Sequence, residues 1–226
     1  MMRVADGTME QEVKLTAVDA ATLDRIAADV NLLNQNKESS WKTKPLATTY
    51  LDTPGRALLA HGYGFRFRVD SSNGLWQACL KGDGAIVDGF CVRREWEQEI
   101  LAPVDRLSLL PEGPLRQQVL GIAPGEAFLA PLVHTRFERR SLLLHLEGGC
   151  VTELALDCGE VRAGDQSLPL FEVELEQKSG PTEPMVQLAR TLRQRHRLQP
   201  SRHSKFALGL TLLDGRIEPQ HVPENH

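Results

Sequence analysis

Residues 171–176 read FEVELE. Side chains at i and i+2 of a β-strand share a face, so Glu172, Glu174 and Glu176 take one side and Phe171, Val173 and Leu175 the other. The same alternation recurs along the chain. EQEVKL (10–15) sets Glu10, Glu12 and Lys14 against Val13 and Leu15, and FRFRV (65–69) sets Arg66 and Arg68 against Phe65, Phe67 and Val69. RREWEQEI (93–100) places Arg93, Glu95, Glu97 and Glu99 opposite Trp96 and Ile100. TELALD (152–157) places Glu153 and Asp157 opposite Leu154 and Leu156, and Lys81 closes a further strand, QACLK.

Two architectures accommodate such strands. In a sandwich the apolar faces meet inside and the charged faces meet water. In a closed barrel the apolar faces can point outward under helices while the charged faces line a lumen. Solvent faces ordinarily mix Ser, Thr, Gln and charges of both signs, whereas here the polar face of FEVELE is Glu-only and that of FRFRV Arg-only. Two amphipathic segments also need apolar sheet to cover. The first is Asp19–Leu33, with Leu23, Ile26, Ala27, Val30 and Leu33 on one stripe; the second is Glu183–Arg197. The barrel satisfies both observations. A lumen holding glutamates beside Arg and Lys is mutually compensated, and it has a chemical use: carboxylates hold hard divalent cations, while Arg and Lys clamp phosphate oxygens.

The remaining strands are expected at 47–51, 75–81, 135–146, 150–158 and 206–212, with turns at SSNG and GDG. Pro103–Pro131 reads as short helices and connections, and NQNKESSWKTKP as a loop. No boundary divides the chain: one domain is expected over residues 8–213, flanked by flexible termini at 1–7 and 214–226.

Composition narrows the function classes. The 226 residues carry 30 acidic and 26 basic side chains, net −4, too balanced for a general nucleic-acid binder. No apolar run approaches the ~18–20 residues of a membrane helix, and the start lacks the apolar core of a secretory leader. A cytoplasmic protein is expected, without nucleic-acid or membrane partners. Cys79, Cys91, Cys150 and Cys158 show no zinc-ligand spacing, and the histidines have no metal-ligand pairing. RQRHR (193–197) reads as a basic helix end and YLDTP (50–54) as a turn.

E-x-E-x-K at Glu10, Glu12 and Lys14 resembles the signature of the CYTH superfamily, also called triphosphate tunnel metalloenzymes. Its sequels follow in order: YLDTP, FRFR, QACLKG, RREWE, TRFERR, TELALDCGEVRAG, FEVELE and SRHSKFALG. The set is most similar to the CYTH part of bacterial inorganic triphosphatases that carry a downstream CHAD domain, which is not expected here. The resemblance implies an α+β fold: an eight-stranded antiparallel β-barrel, its tunnel lined by charge, with helices packed outside. It implies a Mg²⁺ or Mn²⁺ site among Glu10, Glu12, Glu153, Asp157, Glu172, Glu174 and Glu176. It also implies a triphosphate clamp of Lys14, Arg66, Arg68, Lys81, Lys205 and an arginine of TRFERR. Arg136 and Arg139 differ in face parity, and the spacing of Arg139 fits better. Glu95 corresponds to a tunnel carboxylate; it, Lys205 and Lys14 are the candidates for catalysis.

The activity this implies is hydrolysis of tripolyphosphate to pyrophosphate and phosphate. Alternatives within the superfamily are a class IV adenylyl cyclase, which needs an adenine–ribose pocket, and a thiamine triphosphatase, which needs an aromatic tunnel mouth. A non-catalytic polyphosphate-binding module is a further alternative, although phosphate binding alone would not call for so many carboxylates. The sequence leaves the oligomeric state open.

Overall fold

The computed structural model describes residues 7–29, 32, 40–82 and 84–215. Val30, Leu33, Asp83 and both terminal segments apart from Gly7, Asp214 and Gly215 lie outside the described residues, as do residues 34–39, the first half of NQNKESSWKTKP.

In chain order the elements are β1 (Thr8–Thr16), α1 (Ala20–Ala27), β2 (Lys42–Asp52), α2 (Ala57–Ala60), β3 (Tyr63–Asp70), β4 (Leu75–Gly82), β5 (Ile86–Val87) and β6 (Phe90–Ile100). There follow α3 (Pro114–Ile122), β7 (Ala130–His145), β8 (Val151–Ala163), β9 (Gln166–Ser179), α4 (Glu183–His196), β10 (Gln199–Pro200) and α5 (Lys205–Leu213). Eight strands form a ring in the order β1–β9–β8–β7–β2–β3–β4–β6, and β6 pairs back to β1. Every pairing is antiparallel. Closure removes the unpaired sheet edges, and the two-residue strands β5 and β10 add only short flaps on β6 and β1.

The alternation resolves as a barrel. Val13, Leu15, Leu154, Leu156, Val173 and Leu175 point outward, under Leu23 and Ile26 of α1 and Met185, Ala189 and Leu192 of α4. On the other flank Phe65, Phe67, Ala78, Leu80 and Trp96 are covered by Leu58, Leu107, Leu110, Leu115 and Val119. Phe65 and Phe67 are buried, and each such side chain contributes on the order of 1.5–3 kcal/mol.

Two expectations need correction. Residues 206–212 are not a strand but the body of α5. FALGLTLL is a short apolar run whose period cannot separate strand from buried helix, and Ser204 starts the helix by accepting the N–H of Ala207 at 3.1 Å. The helices pack outside the barrel wall as expected, and α5 lies across one end of the lumen. There the inward faces are apolar: Leu46, Tyr50, Val133, Phe137, Val161 and Leu170 pack against Phe206 and Leu212. Helix α1 is also shorter than its stripe suggests. Asp19 caps it through the N–H of Thr22, and it ends at Ala27.

YLDTP is structural in this fold. Asp52 is buried and its carboxylate accepts the N–H groups of Thr53, Leu58 and Leu59, tying β2 to α2. In RQRHR, Arg193 and Arg195 pair with Asp88 and Asp29.

Candidate functional site

The lumen contains a cavity of about 470 Å³ whose lining includes Glu10, Glu12, Lys14, Arg66, Arg68, Lys81, Glu95, Arg139, Glu174, Glu176 and Lys205. Six barrel strands and α5 deliver these groups, so their spacing is set by the backbone ladder rather than by loops.

Register explains how the charges meet. Lys14 of β1 lies opposite Glu174 of β9, and Arg139 of β7 opposite Asp157 of β8, which in turn faces Glu172. Arg139 grips Asp157 with two hydrogen bonds of 2.7 and 2.6 Å and also reaches Glu174. Lys205, at the first turn of α5, lies 2.9 Å from both Asp157 and Glu174 and bonds Glu172. Lys14 pairs with Glu12 at 2.8 Å and with Glu174. On the opposite side Glu10 accepts from Lys81 at 2.8 Å and from Arg93 at 2.9 Å, and Arg93 also bonds Glu12. Lys81 stands 3.1 Å from Glu95, which accepts the thiol proton of Cys79 at 3.0 Å.

Burial shapes the ionisation. Burial alone would lower Lys205, but Asp157, Glu172 and Glu174 raise it, so the ammonium keeps its charge. Burial is likewise overcome at Lys14 by Glu12 and Glu174, and at Glu174 by Lys14, Lys205 and Arg139, which hold that carboxyl well below its usual range. At Glu172 burial prevails and pushes the carboxyl up to about 7. Burial, with like charge from Arg66 and Arg139, lowers Arg68 to about 10.

Two guanidiniums have unspent donors. Arg66 is 7% exposed; its Nε is buried without a hydrogen-bond partner, and its nearest carboxylates are 3.6 and 3.7 Å away. Arg68 donates to Thr48 Oγ1 at 3.1 Å, and among the described residues no carboxylate lies within ion-pair distance of it. The Phe137 ring sits beneath three cations, 5.7 Å from the Arg68 and Arg139 guanidiniums and 5.3 Å from Lys205 Nζ.

Carboxylate oxygens of Asp157, Glu172 and Glu174 lie within 4.8 Å of one another. An all-oxygen set at that spacing fits a hard divalent cation. Asp157 and Glu172 are buried behind Lys205, Glu176 is at the rim beside Lys178 (2.7 Å), and Glu153, partly buried and opposite Glu176, is outside the cavity lining. Arg136 is the clear misplacement. It is exposed on the outer face beside Glu160, because the parity of β7 turns Thr135, Phe137 and Arg139 inward. Arg93, Glu97, Tyr50 and Phe137 were not singled out from the sequence as site residues. Arg93 and Glu97 share the inward face of RREWEQEI with Glu95, so parity alone reaches them.

Over residues 8–209 the sequence matches the family model described as the CYTH domain. The chain belongs to the CYTH family. A Haemophilus influenzae protein named as an inorganic triphosphatase is 28% identical over 151 residues, which take in 65% of this chain and 40% of that protein. The CYTH barrel also superposes on solved structures. One is a Hippeastrum protein described as a candidate adenylyl cyclase with a dominant triphosphatase activity: TM-score 0.66, 20% identity, 93% of this chain and 98% of that one. Another is a Vibrio parahaemolyticus protein described as a candidate adenylate cyclase: TM-score 0.51, 16% identity, 89% and 98% covered. At these identities the superpositions establish the CYTH fold.

Proposed function

We propose that this CYTH chain is a divalent-metal-dependent triphosphatase that hydrolyses the terminal phosphate of tripolyphosphate, giving pyrophosphate and phosphate. The observation that carries the reading is the pair Arg66 and Arg68: one buried and one partly buried guanidinium on the cavity wall, with donors unspent by the protein, on a barrel that also holds a buried acidic cluster. Arg66 has only distant carboxylates at 3.6 and 3.7 Å, and a desolvated cation with few partners is costly; a polyanion in the cavity removes that cost.

In this reading Arg66, Arg68, Lys81, Lys14, Arg139 and Lys205 bind the phosphate chain, and Arg136 takes no part. Asp157, Glu172 and Glu174 would hold Mg²⁺ or Mn²⁺, with Glu12 beside them through Lys14 and with Glu10, Glu153 and Glu176 more remote. The cation, when bound, offsets charge on the attacked phosphoryl group. Phosphoryl transfer asks mainly for positioning and charge stabilisation. Lys205 and Lys14, held protonated by their carboxylates, act as cations rather than as water activators. Glu95 is held ionised, against its burial, by Lys81 and Arg66. Among the described residues no helix is long and apolar enough to cross a membrane. Four unbridged cysteines fit a reducing compartment, and we place the protein in the cytoplasm.

The test is a panel measuring phosphate, pyrophosphate and cyclic AMP released from tripolyphosphate, ATP and thiamine triphosphate with Mg²⁺ or Mn²⁺. Tripolyphosphate hydrolysis abolished by EDTA supports the reading; metal-independent turnover, or none on any triphosphate, overturns it.

A further inference from the structure

Glu97 belongs to neither the phosphate clamp nor the acidic cluster, yet it lines the cavity two residues beyond Glu95 on the same face of β6. Its Oε1 lies 3.6 Å from Arg66 Nη2, and Glu95 Oε1 lies 3.7 Å from the same atom. The carboxylates of Glu95 and Glu97 and the Cys79 sulfur approach within 4.8 Å of one another. The partners are unequally shared. Glu95 accepts from Cys79 and pairs with Lys81 at 3.1 Å, whereas Glu97 accepts the neutral amide of Gln77 at 3.1 Å. Two close carboxylates do not both ionise readily, and the proton belongs on the one with fewer cations. Glu97 is also the reachable member: its side chain is 40% exposed against 12% for Glu95.

We propose that Glu97 is the proton donor to the departing pyrophosphate, with Glu95 as its ionised neighbour. The inference rests on the triphosphatase reading and deepens it. As the water oxygen bonds to the terminal phosphorus, the phosphoanhydride P–O bond breaks and its electron pair stays on the bridging oxygen. That oxygen takes the Glu97 proton. The attacking water gives a proton to solvent, and Glu97 carboxylate recovers one from solvent, so the cycle closes without a further reactant. Arg66 and Arg68 supply the adjoining phosphate-binding donors. The groups facing Glu97 are Glu95 and Glu99 along β6, Gln77, Cys79 and Lys81 from β4, and Arg66 from β3. Burial followed by the Glu95 charge raises Glu97 to about 7, in the range where a carboxyl both holds and releases a proton.

The experiment compares wild type, Glu97→Gln and Glu97→Asp on tripolyphosphate with Mg²⁺, recording kcat and KM from pH 5.5 to 9. Infrared titration of the carboxyl groups in the metal-free proteins accompanies it. Expected are a wild-type kcat that falls above about pH 7, a roughly 10²-fold lower and flatter profile for Glu97→Gln, and KM within threefold. Glu97→Asp should recover part of the rate and the falling limb. Glu172 also titrates near pH 7 in the metal-free protein, so Glu97→Gln should show one fewer carboxyl titrating there than wild type. A Glu97→Gln enzyme with wild-type kcat and pH profile overturns the proton donor and leaves the triphosphatase reading standing. Loss of rate through KM alone, or an unchanged number of carboxyls titrating near pH 7 in Glu97→Gln, also overturns it. A wild type inactive on every triphosphate overturns both.

Discussion

Glu172 and Glu174 are two residues apart on β9 and both touch Lys205, yet they hold their protons in opposite ways. Burial raises both, but Glu174 faces Lys14, Lys205 and Arg139 while Glu172 has chiefly Lys205. In the metal-free protein one proton therefore resides mainly on Glu172 below about pH 7. A divalent cation needs the carboxylate form, so Mg²⁺ or Mn²⁺ affinity should rise as pH climbs from 6 to 8. Calorimetry at pH 6.5 in buffers of different ionisation enthalpy should show proton release that Glu172→Gln removes; pH-independent affinity would take Glu172 out of the metal set. Arg68 offers the complementary signature. A base whose folded pKa is lowered, here to about 10 by burial and then by Arg66 and Arg139, destabilises the fold at every pH where it stays charged. Arg68→Met is expected to keep or raise Tm while losing at least ~100-fold in kcat/KM on both tripolyphosphate and ATP. A fall in Tm with activity retained would assign Arg68 to structure instead.

At the scale of elements, α5 decides whether Lys205 meets the carboxylates. The helix lies so close to β7 that a Cβ built on Gly209 would fall 2.2 and 2.5 Å from the two γ-methyl carbons of Val133 and 2.9 Å from its Cβ. No rotamer of Val133 clears all three atoms. In a free helix Gly→Ala stabilises by about 1 kcal/mol; here Gly209→Ala should instead cost about 1–3 kcal/mol through overpacking. Thermal melts should show the loss, and activity should fall with it as Lys205 shifts. An unchanged or raised Tm would mean that α5 has slack against the barrel. This same element marks the limit of what the sequence disclosed. Strands with one charged and one apolar face, such as FEVELE and FRFRV, carry their own orientation once two amphipathic helices demand an apolar surface. FALGLTLL carries none, being apolar throughout, and the inward apolar residues Val133, Phe137 and Val161 look from sequence like ordinary core. Arg136 and Arg139 could be separated only by the parity of β7. Arg93 and Glu97 were visible on the right face, but their part in the cavity depends on cross-strand partners that a single strand does not disclose.

At the scale of the whole molecule, closure of the ring makes the charge pattern selective. Lys14, Arg66, Arg68, Lys81, Arg139 and Lys205 come from β1, β3, β4, β7 and α5 and converge on one cavity, so a chain of phosphates meets cations from several sides at once. Tripolyphosphate presents charged oxygens along its whole length. ATP esterifies one end, gives up charge there and brings a nucleoside that needs a surface of its own. The cavity aromatics already have partners within the protein: Phe206 stacks on Tyr50 at 4.9 Å, and Tyr63 leans on Trp96 at 6.1 Å. Contacts that the adenine would need are thereby spent on the fold, whereas the donors of Arg66 and Arg68 are not. We expect kcat/KM for tripolyphosphate to exceed that for ATP by at least ~10-fold, about 1.4 kcal/mol of transition-state stabilisation. The advantage should shrink as salt rises, because added ions screen the more highly charged substrate more strongly. Steady-state assays at 50 and 300 mM salt, concentrations of about that order being enough to change screening appreciably, would measure both effects. Equal efficiencies would show that the cavity reads a triphosphate regardless of what it is attached to. Efficient conversion of ATP to cyclic AMP with tripolyphosphate untouched would make the barrel a cyclase.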